Sequence, residues 1–88
     1  MKVITLITPD VEPAELAAFC QSDDCLLLRQ DAVFLLLQHA IHWPTARLFV
    51  LHSDLQLRQL SAPDSFEVIN EQQWVQLIAA AEQHLLWQ

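Results

Sequence analysis

Two cysteines, Cys20 and Cys25, are the strongest nucleophiles in the sequence. A cysteine pair suggests redox or sulfur-carrier chemistry, and both kinds of chemistry require a thiolate. Cys20 lies at the predicted end of a helix and close to Asp23 and Asp24, and both features raise the pKa of a thiol. Cys25 opens an apolar run and is predicted to be a small core residue. Cys20 is therefore the candidate for a functional thiol. Its surroundings, however, disfavour the thiolate that such a function requires.

The histidines offer weaker candidates. His52 directly follows a predicted strand and is a candidate to accept a proton or to hydrogen-bond a neighbouring chain, although a plain surface or interface histidine is the simpler interpretation. Because His52, Ser53 and Asp54 are consecutive, they cannot converge in the geometry of a catalytic triad. His39 and His42 are three residues apart on a predicted helix, but no further ligand lies close to them in sequence. The sequence therefore predicts no metal site.

Length and composition favour association with other protein chains. With 88 residues the chain has room for one domain, spanning residues 1–88, and for a modest core. Yet 53% of the residues are hydrophobic and 17% are charged, which is more apolar matter than so short a chain readily buries. We therefore expect part of the apolar surface to contact a partner.

Charge and glycine content argue against several classes of ligand. A net charge of −7 provides no basic stripe for phosphates, so we expect neither direct nucleic-acid binding nor attraction to a membrane surface. The absence of glycine excludes a P-loop or a dinucleotide fingerprint, and no cofactor is expected. The first apolar stretch is too short for a signal peptide or a membrane span, and two cysteines make no disulfide framework. The chain is therefore expected to be cytoplasmic.

Strand-like and helix-like segments alternate along the chain. This alternation predicts a single small α/β domain with a mostly parallel four-stranded sheet and helices on both faces. Short β-branched or apolar runs mark the predicted strands, and amphipathic or apolar stretches mark the predicted helices. The predicted strands are residues 2–8, 24–29, 47–51 and 66–69, and the predicted helices are 13–20, 31–42, 54–60 and 70–86.

Polar residues follow the predicted strands at the edge where parallel sheets bind ligands. Most of them have a simpler explanation, because each stands where a helix is predicted to begin. Asp31, either Ser53 or Asp54, and Asn70 are predicted N-caps. Gln73 would complete a capping box with Asn70.

The second predicted helix is apolar around its whole circumference. Such a helix has to be buried on all sides, and one face alone can pack on the sheet of this chain. We therefore expect side chains such as Leu36, Ile41 and Trp43 to point outward against another chain. The predicted interface residues are Phe34, Leu36, Leu37, Ile41 and Trp43.

Several segments spread over almost the whole chain carry a family resemblance. The segments are residues 24–33, 48–51, 54–55, 58–60, 69–70 and 74–77, with Trp87. Together they resemble the TusB/DsrH family. The resemblance implies the fold of DsrE, DsrF and DsrH proteins and a subunit of a cytoplasmic sulfur relay. It also implies assembly with TusC/DsrF-like and TusD/DsrE-like chains into a heterohexamer that serves either wobble 2-thiouridine synthesis in tRNA or sulfur oxidation.

The sequence also departs from the pattern of this family. The family usually has glycine where Asp23, Ala32 and Gln59 stand, and tyrosine where Glu71 stands. The sulfur-accepting cysteine of the TusD/DsrE relatives follows the third strand, where this chain reads His52-Ser53-Asp54 and has no cysteine. The resemblance therefore implies a non-catalytic subunit. A direct sulfurtransferase that uses Cys20, the nearest match to a first-helix cysteine of some DsrH proteins, and a self-associating interaction module remain the alternatives.

Overall fold

The protein is built on a five-stranded parallel sheet, seen in a computed structural model that describes residues 1–38 and 41–87. The strands lie in the order β4-β3-β2-β1-β5, and all neighbouring strands are parallel. The predicted α/β fold is confirmed, with five strands instead of four. The strands are β1 (Lys2–Leu6), β2 (Cys25–Leu28), β3 (Leu48–Leu51), β4 (Phe66–Ile69) and β5 (Gln83–Trp87). The helices are α1 (Pro13–Phe19), a 3₁₀ helix (Gln30–Leu37), α2 (His52–Arg58) and α3 (Glu71–Ala80).

The fifth strand corrects the prediction of one long helix over residues 70–86. Helix α3 ends at Ala80, and β5 pairs with the free side of β1, placing Leu85 opposite Ile4. Leu85 also fits the three- and four-residue spacing of the preceding helix, so the periodicity of the sequence does not reveal the boundary. The backbone hydrogen bonds that β1 offers outweigh the local helical preference.

The connections place three helices on one face of the sheet and one helix on the other. From β1 to β4 each connection moves one strand in the same direction, and the right-handed crossover rule then puts all three helices on the same face. Leu16 of α1, Val33 of the 3₁₀ helix and Leu55 of α2 pack there in one core cluster. The last connection returns from β4 to β5, so α3 lies on the opposite face, where Trp74 contacts a second cluster.

The second helical segment is a 3₁₀ helix that ends at Leu37, not an α-helix over residues 31–42. A 3₁₀ helix has three residues per turn, so residues three apart share one side. Phe34 and Leu37 share the exposed side, while Val33 and Leu36 share a buried one. This geometry explains how a continuous apolar run acquires an inner and an outer side. The expectation that Leu36 points outward is wrong.

Two helix starts follow the sequence, because α1 begins at Pro13 and α3 follows the predicted cap Asn70, and the other two depart from it. Asn70 accepts a hydrogen bond from the Gln73 backbone N–H at 2.8 Å, and the Asn70 N–H donates to the Gln73 side chain at 2.9 Å, so the predicted capping box is confirmed. The 3₁₀ helix and α2 instead begin after Arg29 and Leu51, without side-chain caps. The predicted caps at Asp31, Ser53 and Asp54 are therefore wrong.

Helix α2 ends in a conformation that favours glycine. Gln59 has φ 55° and ψ 43°, in the left-handed region where a Cβ atom is costly. Glycine, which has no Cβ atom, would adopt this conformation at a lower cost than glutamine. None of the helices in the described ranges has the length and apolar character that crossing a membrane requires.

The capping box predicts a specific loss of stability. Asn70→Ala leaves the first N–H groups of α3 without their acceptor, and we expect the free energy of unfolding to fall by about 1 kcal/mol. Urea unfolding at constant denaturant slope measures this change. The control is Gln76→Ala, on the exposed surface of the same helix. Equal unfolding midpoints for Asn70→Ala and the wild type would contradict the role of the cap.

Candidate functional site

A network of charged side chains ties together the elements at the carboxyl edge of the sheet. Arg29, which follows β2, lies with its Nε 3.8 Å from Oδ2 of Asp54 on α2. Arg58, one turn further along α2, approaches the other oxygen of Asp54 at 3.6 Å. The Nη2 of Arg58 also donates to Asp31 of the 3₁₀ helix at 3.0 Å. Both guanidinium groups are therefore engaged within the chain.

Arg29 also joins this network to the opposite face of the sheet. Its guanidinium carbon lies 4.1 Å from the ring centre of Trp74 on α3, which is a cation–π contact. Arg29 Nε, Asp54 Oδ2 and Trp74 Nε1 are buried and have no hydrogen-bond partner among the described residues. The ion pair with Asp54 and the cation–π contact thus partly compensate for burying the Arg29 and Asp54 charges, whereas neither contact supplies an acceptor for the Trp74 N–H. This arrangement is a structural clamp between α2 and α3.

His52 lies at the same edge and differs from this clamp in its exposure. It is the first residue of α2, directly after β3, and its side chain is exposed. None of the described residues hydrogen-bonds its imidazole. The ring is therefore available to a neighbouring chain.

Cys20 lies far from His52, because α1 runs back from the carboxyl edge and ends at the amino edge of the sheet. Cys20 follows α1, is 5% exposed and belongs to the core. Burial, and after it the negative charge of Asp24, raise the pKa of the Cys20 thiol to about 11. The predicted direction is confirmed, although burial contributes more than the nearby carboxylates that the sequence indicated.

Cys25 is a core residue, as predicted. It is 2% exposed, and its Sγ lies 3.5 Å from Sδ of Met1. Burial raises the pKa of its thiol, and Arg47 partly opposes that effect. Both cysteines are free, and neither presents a reactive thiolate on the surface.

Asp24 lies at the amino edge of the sheet, and its negative charge helps to raise the pKa of the Cys20 thiol. Its carboxylate accepts hydrogen bonds from the backbone N–H groups of Gln21 and Lys2 at 3.0 and 3.2 Å, and it pairs with the Lys2 ammonium at 3.4 Å. Burial opposes ionisation, but these partners together hold the pKa of Asp24 below its usual range. Thr45 Oγ1 donates to the Asp24 carbonyl at 2.8 Å and fixes the same turn.

The predicted interface residues separate into exposed and packed groups. Phe34 and Leu37 are 39% and 59% exposed, on the outer side of the 3₁₀ helix. Trp43 is half-buried and packs edge-to-face on Phe66 at 5.3 Å. Ile41 is also half-buried, and with Trp43 it lines a cavity of about 110 Å³. Phe34 and Leu37 therefore form the outer part of the predicted surface, and we call this pair the 3₁₀ face.

Sequence reasoning missed other exposed apolar residues. Leu57 on α2 is 77% exposed, Val75 on α3 is 61% exposed and Leu86 on β5 is 53% exposed. Val75 lies off the apolar stripe of α3, and this spacing was the signal for its exposure. The exposure of Leu86 follows only once residues 83–87 are known to form a strand.

His39 lies outside the described residues. Residues 1–38 and 41–87 contain no group of three side chains suited to hold a metal ion.

Comparison with known families assigns this chain. Residues 10–84 match the model described as DsrH like protein. The chain belongs to the DsrH-like family. The resemblance to TusB/DsrH proteins is thus confirmed, and membership indicates a subunit of the sulfur-relay type. No curated protein sequence gives a significant match.

The burial of Cys20 predicts slow reaction with alkylating agents. At pH 8 we expect iodoacetamide to modify Cys20 at least about 100-fold more slowly than an exposed cysteine, because few molecules carry the thiolate and the sulfur is covered. Mass spectrometry of each cysteine over time measures the rates. The reference is Ser22→Cys, an exposed position two residues away. Equal rates at both positions would contradict the buried thiol.

The same pKa determines how stability depends on pH. The folded protein holds the Cys20 proton more tightly than the unfolded chain, because the thiol pKa rises from 9.0 to about 11 on folding. This contribution to stability is therefore complete below pH 9 and is lost as the pH rises toward 11.

Proposed function

We propose that this chain is a non-catalytic subunit of a cytoplasmic sulfur-relay complex that supports persulfide transfer for tRNA wobble 2-thiouridine synthesis. In this proposal it assembles with TusC/DsrF-like and TusD/DsrE-like chains into a heterohexamer. Membership of the DsrH-like family over residues 10–84 is the observation that carries the proposal.

The state of the two thiols supports an accessory role. In a relay step, a thiolate attacks the terminal sulfur of a persulfide, forms a new sulfur–sulfur bond and releases the donor as a thiol. Cys20 and Cys25 are 5% and 2% exposed, and burial raises the pKa of both. The stretch after β3, where the TusD/DsrE relatives carry their acceptor, reads His52-Ser53-Asp54 and contains no cysteine. These features favour a neighbouring chain as the sulfur carrier.

The 3₁₀ face is our proposed contact with the neighbouring chain. Phe34 and Leu37 present adjoining apolar side chains, and Arg58 lies 5.9 Å from the ring of Phe34 while bound to Asp31. An apolar centre beside a paired charge is typical of a protein interface with a polar rim. His52 begins α2, the helix that ends at Arg58, and we propose that its imidazole contacts the sulfur-carrying loop of the partner.

Purification of the native complex tests the assembly and the sulfur pathway together. We expect a tag on this chain to recover TusC- and TusD-like chains, as identified by native mass spectrometry. After incubation with a cysteine desulfurase and labelled cysteine, the label should reside on the TusD-like chain and should persist there when this chain carries Cys20→Ser. A stable persulfide on Cys20 itself would refute the accessory role and support the direct sulfurtransferase.

His52 is tested in the same preparation. His52→Ala should lower the rate of labelling while the complex remains intact, if the imidazole assists the sulfur-carrying loop. The exposed Ser53→Ala variant is the neighbouring control. Loss of assembly with His52→Ala would show instead that His52 is a contact residue.

A matched pair of leucines tests the 3₁₀ face. Leu37→Glu places a charge in the proposed interface, and we expect a loss of roughly 2 kcal/mol in binding, or about 30-fold in affinity. Leu57→Glu makes the same change on the outer side of α2, at a side chain that is 77% exposed compared with 59% for Leu37. Calorimetric titration with the partner chains measures both affinities. Equal binding by both variants would exclude Leu37 from the interface.

A further inference from the structure

Two adjoining cavities form a groove on the face of the sheet that three helices cover. The first holds about 110 Å³ and lies between Leu16 of α1 and Ile41. The second holds about 200 Å³ and reaches Phe66 at the start of β4. Ile41 and Trp43 line both cavities, so the two share a wall. We call the two cavities together the Trp43 groove.

The size of each cavity favours a side chain over a metabolite or a cofactor. Sites for such molecules usually enclose about 300 Å³ or more. A cavity of about 150 Å³ accommodates a ring as large as benzene. Volumes of about 110 and 200 Å³ lie close to the second value, so each cavity matches one apolar side chain. Because a wall separates the cavities, the groove suits a chain that inserts two side chains.

Gln38 provides a polar group between the two cavities. It lines both of them, and its side chain is exposed. A carboxamide can donate and accept hydrogen bonds, which are the two interactions that a backbone amide group makes. A peptide whose side chains enter the two cavities would pass its backbone over Gln38. The groove thus offers the contacts of an extended peptide.

Negative charge surrounds the groove. Asp10 and Glu12 flank Val11, which lines the first cavity, and Asp64 precedes Ser65, which lines the second. All three carboxylates are exposed, and none forms an ion pair within residues 1–38 and 41–87. No lysine or arginine of these ranges lines either cavity. A cleft edged by one sign of charge concentrates the opposite sign, so the groove attracts cations.

The basic side chains of this chain are engaged elsewhere. Of the four, Lys2, Arg29 and Arg58 form ion pairs with aspartates, and Arg47 lies with Nη1 3.8 Å from Sδ of Met1. Positive charge at the Trp43 groove therefore has to come from a partner. A second copy of this chain, with its net charge of −7, and a nucleic acid would both add negative charge. Charge thus selects a basic occupant.

We propose that the Trp43 groove binds an extended basic segment of a partner protein. Apolar side chains of the segment enter the two cavities, and its lysine or arginine side chains face Asp10, Glu12 and Asp64. An apolar centre within a charged rim is typical of a protein interface. Phe34 and Leu37 line neither cavity, so this site is separate from the 3₁₀ face. The proposal is independent of the relay function.

A random peptide library displayed on phage tests the chemistry of the occupant. We expect the purified chain to enrich peptides in which apolar residues are flanked by lysine or arginine. Val11→Trp fills the first cavity and should abolish this enrichment. Val75→Trp makes the same change on the exposed surface of α3 and should retain it. Far-UV circular dichroism shows whether each variant is folded. Enrichment of acidic or uncharged peptides, or equal enrichment by Val11→Trp and the wild type, overturns the proposal. Absence of any enrichment by the wild type overturns it as well.

The affinity of an enriched peptide tests the charged rim. Asp10→Asn combined with Glu12→Gln removes two negative charges from the groove, and we expect the dissociation constant at low ionic strength to rise about fivefold. Asp23→Asn combined with Glu71→Gln removes the same charge from two exposed positions outside the groove. Fluorescence anisotropy of the labelled peptide measures both affinities. An equal loss for both variants would show that only net charge attracts the peptide, and would overturn the site. The assay contains no relay partner, so its outcome does not depend on the relay function.

Discussion

The parallel pairing of β1 with both β2 and β5 is the interaction on which the rest of the structure depends. Residues 3–6 of β1 are almost completely buried, so β1 lies inside the hydrophobic core although it begins the sequence. Parallel neighbours require a crossover connection. Because β5 takes the second side of β1, the chain after β4 has to return across the sheet, and α3 is the segment that makes this crossing. The Glu82 N–H donates to the Met1 carbonyl at 3.0 Å and continues the pairing beyond the strand.

The return crossing leaves the two faces of the sheet unequally covered. Within residues 1–38 and 41–87, three helices cover one face and α3 alone covers the other, and none of the ten α3 residues is buried. Exposed apolar side chains consequently remain on α3 and on β5, the strand that follows it, where no further helix is present in the described residues. A chain with 53% hydrophobic residues cannot bury all of them within the nine short elements that the described residues form. The surfaces left over are the physical basis for expecting association with other chains.

The two edges of the sheet have different chemical character. At the amino edge, the buried Asp24 is stabilised as a carboxylate by backbone donors and Lys2, and its charge helps to keep Cys20 protonated. At the carboxyl edge, Arg29 and Arg58 are paired with Asp54 and Asp31, and the imidazole of His52 is exposed. The thiol and the imidazole lie at opposite ends of the strands and cannot act on one substrate. This separation favours partner chains over chemistry within the chain.

The sequence by itself determined the α/β class, the first four strands, the capping box of Asn70 and the family. These features depend on local patterns, namely short apolar runs with polar residues at their ends. Tertiary structure decided the rest. Strand β5 has helix-compatible spacing and becomes a strand only because β1 offers it a free edge. Leu36 and Phe34 are both apolar, and the three-residue turn of the 3₁₀ helix is what buries one and exposes the other. Burial of Cys20 and the clamp of Arg29 on Trp74 likewise arise from segments distant in sequence, whose contacts no local pattern encodes.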